Sequence, residues 1–490
     1  MVNSFMLYLL LKLGLNFYYL SAPIFNINWY INNEFNLNIS INSSRYTQQP
    51  SVQRISYPEP MIMQVICGGS PVKFILIGDC LSKLTSTALV IALLLVSAGI
   101  AGAEVIYVEP GTSIQAAINN STTGDFVIVK AGDYKENIVI NVSGVTVTSE
   151  PENPDDVFIR ARDENSSVFQ VKADNVTISG FNITGSGEVF ISKSNGFECP
   201  QAGICLDQVE NCTIEKNCIF ENQYGVYLQG SRNSTISNNT YFRNGIWIDE
   251  GCSKNMAINN SIKEGNFILG AHCWDNVISK NRLSNGGGIG IACCGGENLV
   301  SNNEVINCST GIDMYDVQAR TVLHDNLITD CDYGIYLILV YDSMVYNNTI
   351  SNSSRGIFLR ENSQNNELFN NTITSCNESG IYLLDYSDGN RIYNNYFNNT
   401  VNVKAENSEG NIWNTTKTSG TNIVNGPYLG GNFWADLNGT GFSQTAEDSN
   451  SDGICDLPYN VNGGDFDYLP LVKLTSLHGV NLKNNNSESC

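Results

Sequence analysis

A two-part phrase repeats with a nearly constant period between residues 211 and 400. Its first part is an asparagine followed two positions later by an apolar residue. Successive copies stand 21 to 24 residues apart, at Asn217, Asn239, Asn260, Asn281, Asn303, Asn326, Asn348, Asn371 and Asn395. The second part is Gly-Ile-Tyr-Leu or a close variant, beginning at Gly225, Gly245, Gly311, Gly334, Gly356 and Gly380. A fixed period of this length indicates a solenoid, in which each repeat buries its apolar face only against its neighbours.

The apolar runs inside each repeat are short, rich in β-branched and aromatic residues, and alternate with polar residues in period two. Such runs predict strands. A helical repeat would need stretches of about ten or more residues at 3.6 spacing, and a leucine-rich repeat would need a Leu-x-x-Leu-x-Leu frame. The sequence contains neither. It therefore predicts an all-β solenoid, a β-helix with about 22 residues in each coil and coils stacked about 4.8 Å apart.

The repeated asparagine is expected at a corner of the coil, where its amide bonds the equivalent amides above and below. Glycine and asparagine together are expected to supply the positive φ angles that corners require. The alternative, a disordered asparagine-rich tract, is disfavoured by the strict period and by a hydrophobic content of 42%.

Acidic residues outnumber basic ones by 48 to 26, for a formal net charge of −22. A nucleic-acid-binding protein normally presents a basic face, so we expect no nucleic-acid partner. The acidity suits a secreted surface protein, a salt-rich environment or cation binding, and it does not choose among them.

Residues 72–103 have the composition of a secretory signal peptide. Lys73 and Lys83 supply positive charge, residues 88–100 are an apolar run, and residues 101–103 (AGA) form a cleavage sequence of the A-x-A kind. We therefore expect a secreted or cell-surface protein with no stable membrane span in its mature chain.

The residues before this signal are expected to be an upstream extension, 1–71, that is not part of the fold. The true start would then lie at Met61, Met63 or Val72. The alternative is that residues 6–20 form a membrane anchor. In an exported protein the Asn-x-Ser/Thr sequons can accept glycan, for example at Asn141, Asn233, Asn307, Asn352, Asn377, Asn414 and Asn438.

Fifteen cysteines support an oxidising destination. Cys199 and Cys205 are expected to close a loop inserted in an early coil. Other cysteines recur at the coil period: Cys252, Cys273 and Cys294 form one set, and Cys308 and Cys331 form another. This spacing would place successive members about 5 Å apart, where they would form either disulfides or a buried column of thiols. The segments His272-Cys273 and Cys293-Cys294 leave a soft-metal site as a third interpretation.

Both ends of the repeat region carry a family resemblance. Residues 108–118 (VEPGTSIQAAI), 124–129 (GDFVIV) and 132–137 (GDYKEN) resemble the N-terminal cap of right-handed parallel β-helix proteins of the pectin-lyase type. The repeats resemble the PbH1 repeats of NosD-like proteins and the CASH domain. At the other end, 430–434 (GGNFW), 448–459 (DSNSDGICDLPY) and 467–471 (DYLPL) resemble the C-terminal segment of NosD-like archaeal surface proteins.

This resemblance implies a single-stranded right-handed parallel β-helix with a short N-terminal capping helix. Thr112 or Ser113 would cap that helix, with Ile114, Ala117 and Ile118 facing inward. The expected organisation is a signal peptide at 72–103, a β-helix at 104–425, a C-terminal segment at 426–474 and a polar tail at 475–490.

A candidate calcium loop lies in the C-terminal segment. Residues with oxygen ligands stand at alternate positions there, on a turn tightened by glycine, which matches the opening of a calcium-binding loop. The expected ligands are Asp448, Asn450, Asp452, the backbone carbonyl of Ile454, and Asp456. Tyr459 stands where an EF-hand would have its bidentate glutamate, so an EF-hand is excluded. The alternative is a polar turn that binds no metal.

A candidate ligand-binding row consists of outward-facing aromatic residues at one position of several coils: Tyr227, Trp247, Tyr336, Phe358 and Tyr382. Flat rings on a rigid face suit stacking against sugars. The alternative is that they only shield the sheet and pair with one another.

Evidence for catalysis is weak. Residues 311–316 (GIDMYD) faintly resemble a mannuronan epimerase motif, but they lack its proline and histidine. We therefore expect a non-enzymatic module that binds a polysaccharide or cell-envelope glycan, or serves a structural role. The alternatives are a lyase, epimerase or hydrolase of the pectin-lyase-like fold, and an accessory protein for copper insertion, although no Met/His-rich copper tract is present.

Overall fold

The computed structural model describes residues 24–31, 35–42, 61–67, 70–76, 103–150, 154–187, 199–293, 296–318, 320–462 and 464–474. The chain divides into two compact units, Met1–Gly102 and Ala103–Cys490. In the first unit, two antiparallel strand pairs are described. Strand β1 (Ile24–Ile31) pairs with β2 (Phe35–Asn42), and β3 (Met61–Cys67) pairs with β4 (Ser70–Leu76). The core of the predicted signal peptide, residues 77–102, lies outside the described residues.

The second unit is a parallel β-solenoid, which confirms the predicted fold class. Its chain visits three sheets in turn, and each strand pairs with the strand one coil away. The first sheet contains β5 (Val105–Val108), β6 (Phe126–Val129), β9 (Thr146–Ser149), β12 (Thr177–Ser179), β15 (Thr213–Glu215), β18 (Thr235–Ser237), β21 (Met256–Ile258), β24 (Val277–Ser279), β27 (Leu299–Ser301), β30 (Val322–His324), β33 (Met344–Tyr346), β36 (Glu367–Phe369) and β39 (Arg391–Tyr393).

The second sheet also has thirteen strands. They are β7 (Gly132–Lys135), β10 (Val157–Arg160), β13 (Asn182–Thr184), β16 (Cys218–Phe220), β19 (Thr240–Phe242), β22 (Ser261–Lys263), β25 (Arg282–Ser284), β28 (Glu304–Ile306), β31 (Leu327–Thr329), β34 (Thr349–Ser351), β37 (Thr372–Thr374), β40 (Tyr396–Asn398) and β44 (Phe433–Ala435).

The third sheet has twelve strands, including the longest of the solenoid. They are β8 (Ile138–Ile140), β11 (Phe169–Val171), β14 (Ala202–Asp207), β17 (Tyr224–Gln229), β20 (Ile246–Asp249), β23 (Asn266–Leu269), β26 (Gly288–Ala292), β29 (Thr310–Val317), β32 (Tyr333–Val340), β35 (Arg355–Arg360), β38 (Ser379–Leu384) and β41 (Val403–Glu406). Two short antiparallel pairs follow, β42 (Thr418–Ser419) with β43 (Tyr428–Leu429) and β45 (Tyr459–Asn462) with β46 (Asp465–Asp467).

Period-two alternation in these short strands places one apolar residue of each inside the coil. In β37, for example, Ile373 is buried between two half-buried threonines. Parallel pairing in strict register then stacks like residues, as in the contact of Ile328 with Ile350 and of Ile350 with Ile373. One continuous aliphatic core therefore runs along the solenoid axis.

The repeated asparagines form a hydrogen-bonded ladder at one corner, as predicted. From Asn239 onward, Oδ1 accepts the backbone N–H and the Nδ2–H of the preceding asparagine, and Nδ2 also donates to a carbonyl of an adjacent coil. Asn281 illustrates the pattern, since its N and Nδ2 lie 2.9 and 3.0 Å from Asn303 Oδ1 and its Nδ2 lies 2.9 Å from Ala257 O. The asparagine ladder comprises Asn217, Asn239, Asn260, Asn281, Asn303, Asn326, Asn348, Asn371, Asn395 and Asn432.

The corner prediction was right for asparagine and wrong for the repeated glycines. The residue before each ladder position from Asn217 to Asn395 has φ between 53° and 57°. Gly225, by contrast, is not among the residues with positive φ. It is needed because a β-carbon there would lie 2.6 Å from the carbonyl oxygen of Gly245 on the next coil. The glycines thus permit close approach of neighbouring coils.

Both ends of the solenoid are covered. Helix α1 (Ile114–Asn120) closes the N-terminal end, with Ser113 Oγ accepting from Ala116 N at 3.1 Å and Ile114, Ala117 and Ile118 buried, as predicted. At the other end the chain leaves the solenoid after β41, returns to the second sheet as β44, and then forms the short helix α2 (Phe442–Thr445). Of the helices in the described part of the chain, none is long and apolar enough to cross a membrane.

A buried carboxylate holds the C-terminal end together. Asp467 Oδ2 accepts from Asn432 N at 2.7 Å and from the Trp434 indole at 2.8 Å, and its Oδ1 accepts from Leu469 N at 3.0 Å. Burial outweighs these hydrogen bonds and raises the pKa of Asp467 to about 7. Asn432 is also the tenth rung of the asparagine ladder, so the C-terminal segment completes the solenoid.

Candidate functional site

The predicted aromatic residues occupy one outward column of the third sheet. In-register pairing runs through every coil, with non-aromatic residues between the two groups of rings. From the third strand of the sheet onward, the outward column is, in order, Cys205, Tyr227, Trp247, Ile268, Gly290, Asp313, Tyr336, Phe358, Tyr382 and Lys404.

Three of the predicted rings form a continuous stack, which we call the aromatic column: Tyr336, Phe358 and Tyr382. Adjacent centroids lie 4.9 and 4.8 Å apart, with interplanar angles of 1° and 15°. Phe358 is 3% exposed and Tyr382 is 6% exposed, whereas Tyr336 is only half-buried. The faces of the inner rings are therefore occupied by their neighbours, and a ligand can stack only on an end of the column.

Arg355 covers the side of the aromatic column. Its guanidinium carbon lies 4.9 Å from the Phe358 centroid and 5.3 Å from that of Tyr382, which are cation–π contacts. Its Nη2 donates to Glu378 Oε1 at 2.9 Å. This part of the face is packed and paired, so it stabilises the sheet.

The two earlier aromatic residues lie in a separate apolar cluster. Tyr227 packs with the Cys199–Cys205 disulfide and Tyr224, and its hydroxyl donates to Asp249 Oδ2 at 3.3 Å. Trp247 is half-buried and meets Tyr224 edge to face at 5.0 Å. The predicted Cys199–Cys205 bridge is thus confirmed.

Asp313 lies between the two aromatic groups, and sequence reasoning did not select it as a site residue. Its Oδ1 is buried and has no hydrogen-bond partner among the described residues. Burial raises the pKa of Asp313 to about 6. The signal was available in the sequence, because Asp313 holds the third place of Gly311-Ile-Asp-Met314, where other repeats carry the outward ring.

Other acidic and imidazole groups of the solenoid have partners of their own. Asp249 accepts from the backbone N–H groups of Glu250 and Ala271, at 2.9 and 2.8 Å. His324 faces outward from the first sheet, where its ring stacks on Tyr346 at 4.9 Å. That contact begins a second stack, which sequence reasoning missed and which continues through Phe369 and Tyr393.

The predicted calcium ligands lie in one loop, but their oxygens already accept hydrogen bonds within it. Asp448 accepts from the backbone of Asp452 and Gly453, at 3.1 and 2.8 Å, and Asn450 accepts from Asp452 N at 3.0 Å. Lys417 Nζ pairs with Asp452.

The remaining members of this loop are directed elsewhere. Asp456 bonds Ser449, and the Ile454 side chain is buried against Phe433 and Leu471. Within the described ranges, no three His, Cys, Asp or Glu side chains are grouped to hold a metal ion. Calcium binding stays a prediction.

Three of the recurring cysteines are thiols and form no disulfide between coils. Cys252, Cys308 and Cys331 are free and buried. Burial raises the pKa of Cys331 to about 12, which leaves that thiol inert. Cys294 lies outside the described residues.

The donors suggested for a soft metal do not converge. His272 and Cys293 are exposed at the outer corner, where the backbone N–H of His272 bonds the Cys293 carbonyl at 3.0 Å. The Cys273 thiol is buried on the inside of the coil and lies 3.4 Å from Ile248 O. The fourth suggested donor, Cys294, lies outside the described residues, so the soft-metal site stays a hypothesis.

The stacked parallel solenoid, closed at both ends, defines this protein as a β-helix protein. Its candidate binding surface is the third sheet, which carries the outward column. The chain belongs to the NosD family, whose model, described as periplasmic copper-binding protein (NosD), matches residues 118–267 and 256–439. It is also 31% identical over 386 residues to a cell surface glycoprotein of Methanothermus fervidus. That match covers 71% of this chain and 56% of the relative, so the chain spans little more than half the length of that protein.

Two solved structures are similar to this chain at low sequence identity and with TM-scores below 0.5. The catalytic domain of a GH87 alpha-1,3-glucanase in complex with nigerose is 18% identical, with a TM-score of 0.47, covering 63% of this chain and 65% of that chain. A hyperthermoactive exopolygalacturonase from Thermotoga maritima is 11% identical, with a TM-score of 0.41, covering 61% and 88%. These likenesses concern the fold alone.

Proposed function

We propose that this protein is exported to the cell surface and binds a glycan without cleaving it, using the outward column of the third sheet. Membership of the NosD family, the similarity to a cell surface glycoprotein and the predicted signal peptide at 72–103 support the location. The acidic composition is consistent with an exported surface protein.

One observation carries the binding role: a single carboxylate, Asp313, lies between two half-exposed aromatic residues on a rigid sheet. Trp247 and Tyr336 are separated by four strand spacings, or about 19 Å, which accommodates several sugar units. Rings at both ends and an acceptor between them suit recognition of hydroxyl-rich rings. The outward column contains no second carboxylate among its described members, and glycoside hydrolysis normally requires two.

A second candidate function is a glycan-cleaving enzyme, favoured by the state of Asp313. A carboxyl whose pKa is raised to about 6 by burial can serve as a general acid. Asp316, at the end of the same strand, would then be the second carboxylate, although the Gln318 side chain already bonds it.

An array of immobilised polysaccharides tests both functions. The array is scored for retained protein and, separately, for released shortened or unsaturated sugar. Retention without release supports the binding role. Release that disappears in Asp313→Asn establishes the enzyme and overturns the binding-only role, and the absence of both retention and release overturns the proposal altogether.

A further inference from the structure

Lys404 lies over Tyr382 at one end of the aromatic column, whereas Tyr336 at the other end has a face that no other ring covers. Phe358 lies between Tyr336 and Tyr382, so both of its faces are occupied. Tyr333 lies 5.0 Å from Tyr336 and 6.0 Å from Phe358. It must therefore lie beside the stack, because a ring on the far face of Tyr336 would be about 8 Å or more from Phe358. The face of Tyr336 toward the preceding coil carries no aromatic ring among the described residues.

The coils before Tyr336 present short side chains in register with it. Asp313 holds the next position of the outward column, and Gly290 holds the one beyond. A tyrosine ring extends further from the sheet than a carboxylate, so space for a ring lies above Asp313 and against Tyr336. Ile268 forms the far wall, since its Cδ1 lies 2.9 Å from where a β-carbon on Gly290 would be.

We propose that Tyr336, Asp313 and Gly290 form a subsite for one neutral pyranose ring of a glycan, an assignment that rests on the proposed function. The sugar ring lies on the open face of Tyr336 as the next member of the stack, at about the 4.8 Å spacing of the coils. Two of its hydroxyls donate to Asp313, whose Oδ1 is otherwise without a described partner. Gly290 adds no side chain of its own, so only the flexible end of Ile268 stands beside the substituents of the ring.

The charges around the subsite favour a neutral sugar over a uronic acid. The arginines on the strand after Tyr336 are already paired, Arg355 with Glu378 and Arg360 with Glu361, each at 2.9 Å. A uronate would bring its carboxylate next to Asp313, where repulsion between like charges opposes binding. The net charge of −22 opposes polyanionic chains further.

The test measures affinity of the full chain for immobilised neutral hexose polymers and for polyuronates. Three variants probe separate parts of the subsite: Tyr336→Ala removes the platform, Asp313→Asn weakens the acceptor without changing its shape, and Gly290→Val fills the space. Tyr346→Ala is the matched control, because it removes a stacked outward tyrosine from the first sheet. Thermal unfolding shows that each variant is folded.

The subsite predicts a loss of about tenfold or more on the neutral polymer for each of the three variants, and wild-type affinity for Tyr346→Ala. Asp313→Asn and Gly290→Val leave the aromatic column intact, so they decide the matter if Tyr336→Ala unfolds. Wild-type binding that survives in both of these variants, or that is confined to polyuronates, overturns the subsite while the glycan-binding function stands. The absence of wild-type binding to every polymer overturns both.

Discussion

Replacing Asn303 with alanine removes one rung from the middle of the asparagine ladder. Asn303 is 1% exposed, and its side chain makes four hydrogen bonds. Its Oδ1 accepts from Asn281 N and Nδ2, at 2.9 and 3.0 Å. Its Nδ2 donates to Ile278 O at 2.9 Å and to Asn326 Oδ1 at 3.0 Å.

The change leaves two buried donors without partners. They are the backbone N–H and one Nδ2–H of Asn281. Asn326 Oδ1 is not orphaned, because it still accepts from the backbone N–H of residue 303 at 3.0 Å. Each orphaned buried group costs about 1–3 kcal/mol, so Asn303→Ala should lower the free energy of unfolding by about 4 kcal/mol.

Guanidinium unfolding followed by far-UV circular dichroism, with samples held to equilibrium, measures this loss. Asn302→Gly is the matched control, because Asn302 is the adjacent exposed corner residue with φ of 56°. Glycine accepts that φ, so the control should change the free energy of unfolding by less than about 0.5 kcal/mol. A loss below about 1 kcal/mol for Asn303→Ala would show that water or repacking satisfies the orphaned groups, and the ladder argument would fail.

Three further measurements test other parts of the molecule. Because the pKa of Asp467 is raised from its ordinary 3.8 to about 7, its contribution to stability is full below about pH 4 and is lost as pH rises through 7. Asp467→Asn should therefore abolish the decline in the free energy of unfolding between about pH 5 and pH 8. Equal slopes of that free energy against pH in both proteins would contradict this. Replacing Cys199 and Cys205 with alanine opens a loop of sequence separation 6 and should lower the free energy of unfolding by about 2 kcal/mol. An unchanged denaturant midpoint under oxidising conditions would argue against a stabilising disulfide. Lys417→Met removes the ammonium that pairs with Asp452 and should strengthen calcium binding, measured by isothermal titration calorimetry, by on the order of tenfold. If neither the wild type nor the variant gives a binding heat, the calcium loop is rejected.

The repeat predicted the fold because both the coil and the ladder are local consequences of the period. Every asparagine from 217 to 395 named in the sequence became a rung. Asn432 could not be assigned in the same way, because 37 residues separate it from Asn395 and the chain leaves the solenoid between them. Only the hydrogen bond itself shows that this distant segment supplies the last rung.

Side-chain roles were less predictable than positions. The period placed Tyr336, Phe358 and Tyr382 in one column, but it could not show that the rings would stack face to face and leave one end open. The coil spacing likewise allowed either a disulfide or two thiols for Cys308 and Cys331. In the structure both are thiols, and each thiol donates a hydrogen bond to the carbonyl of the residue two positions earlier.

The fold and the proposed glycan recognition use separate sides of the same coils. The coil that interrupts the rings with Asp313 still contributes its ladder residue, Asn303, and its inward neighbours Ile312 and Met314 are buried. Its outer side can therefore change without disturbing the inner stack, because parallel register is set by the ladder and the core. Asp313→Asn should alter ligand affinity with little change in the free energy of unfolding at about pH 3, where the carboxyl is protonated in both the folded and the unfolded protein, whereas Asn303→Ala should do the reverse. If the two variants instead lower stability and affinity in parallel, the outer face is coupled to the core and the subsite cannot be treated as an independent surface feature.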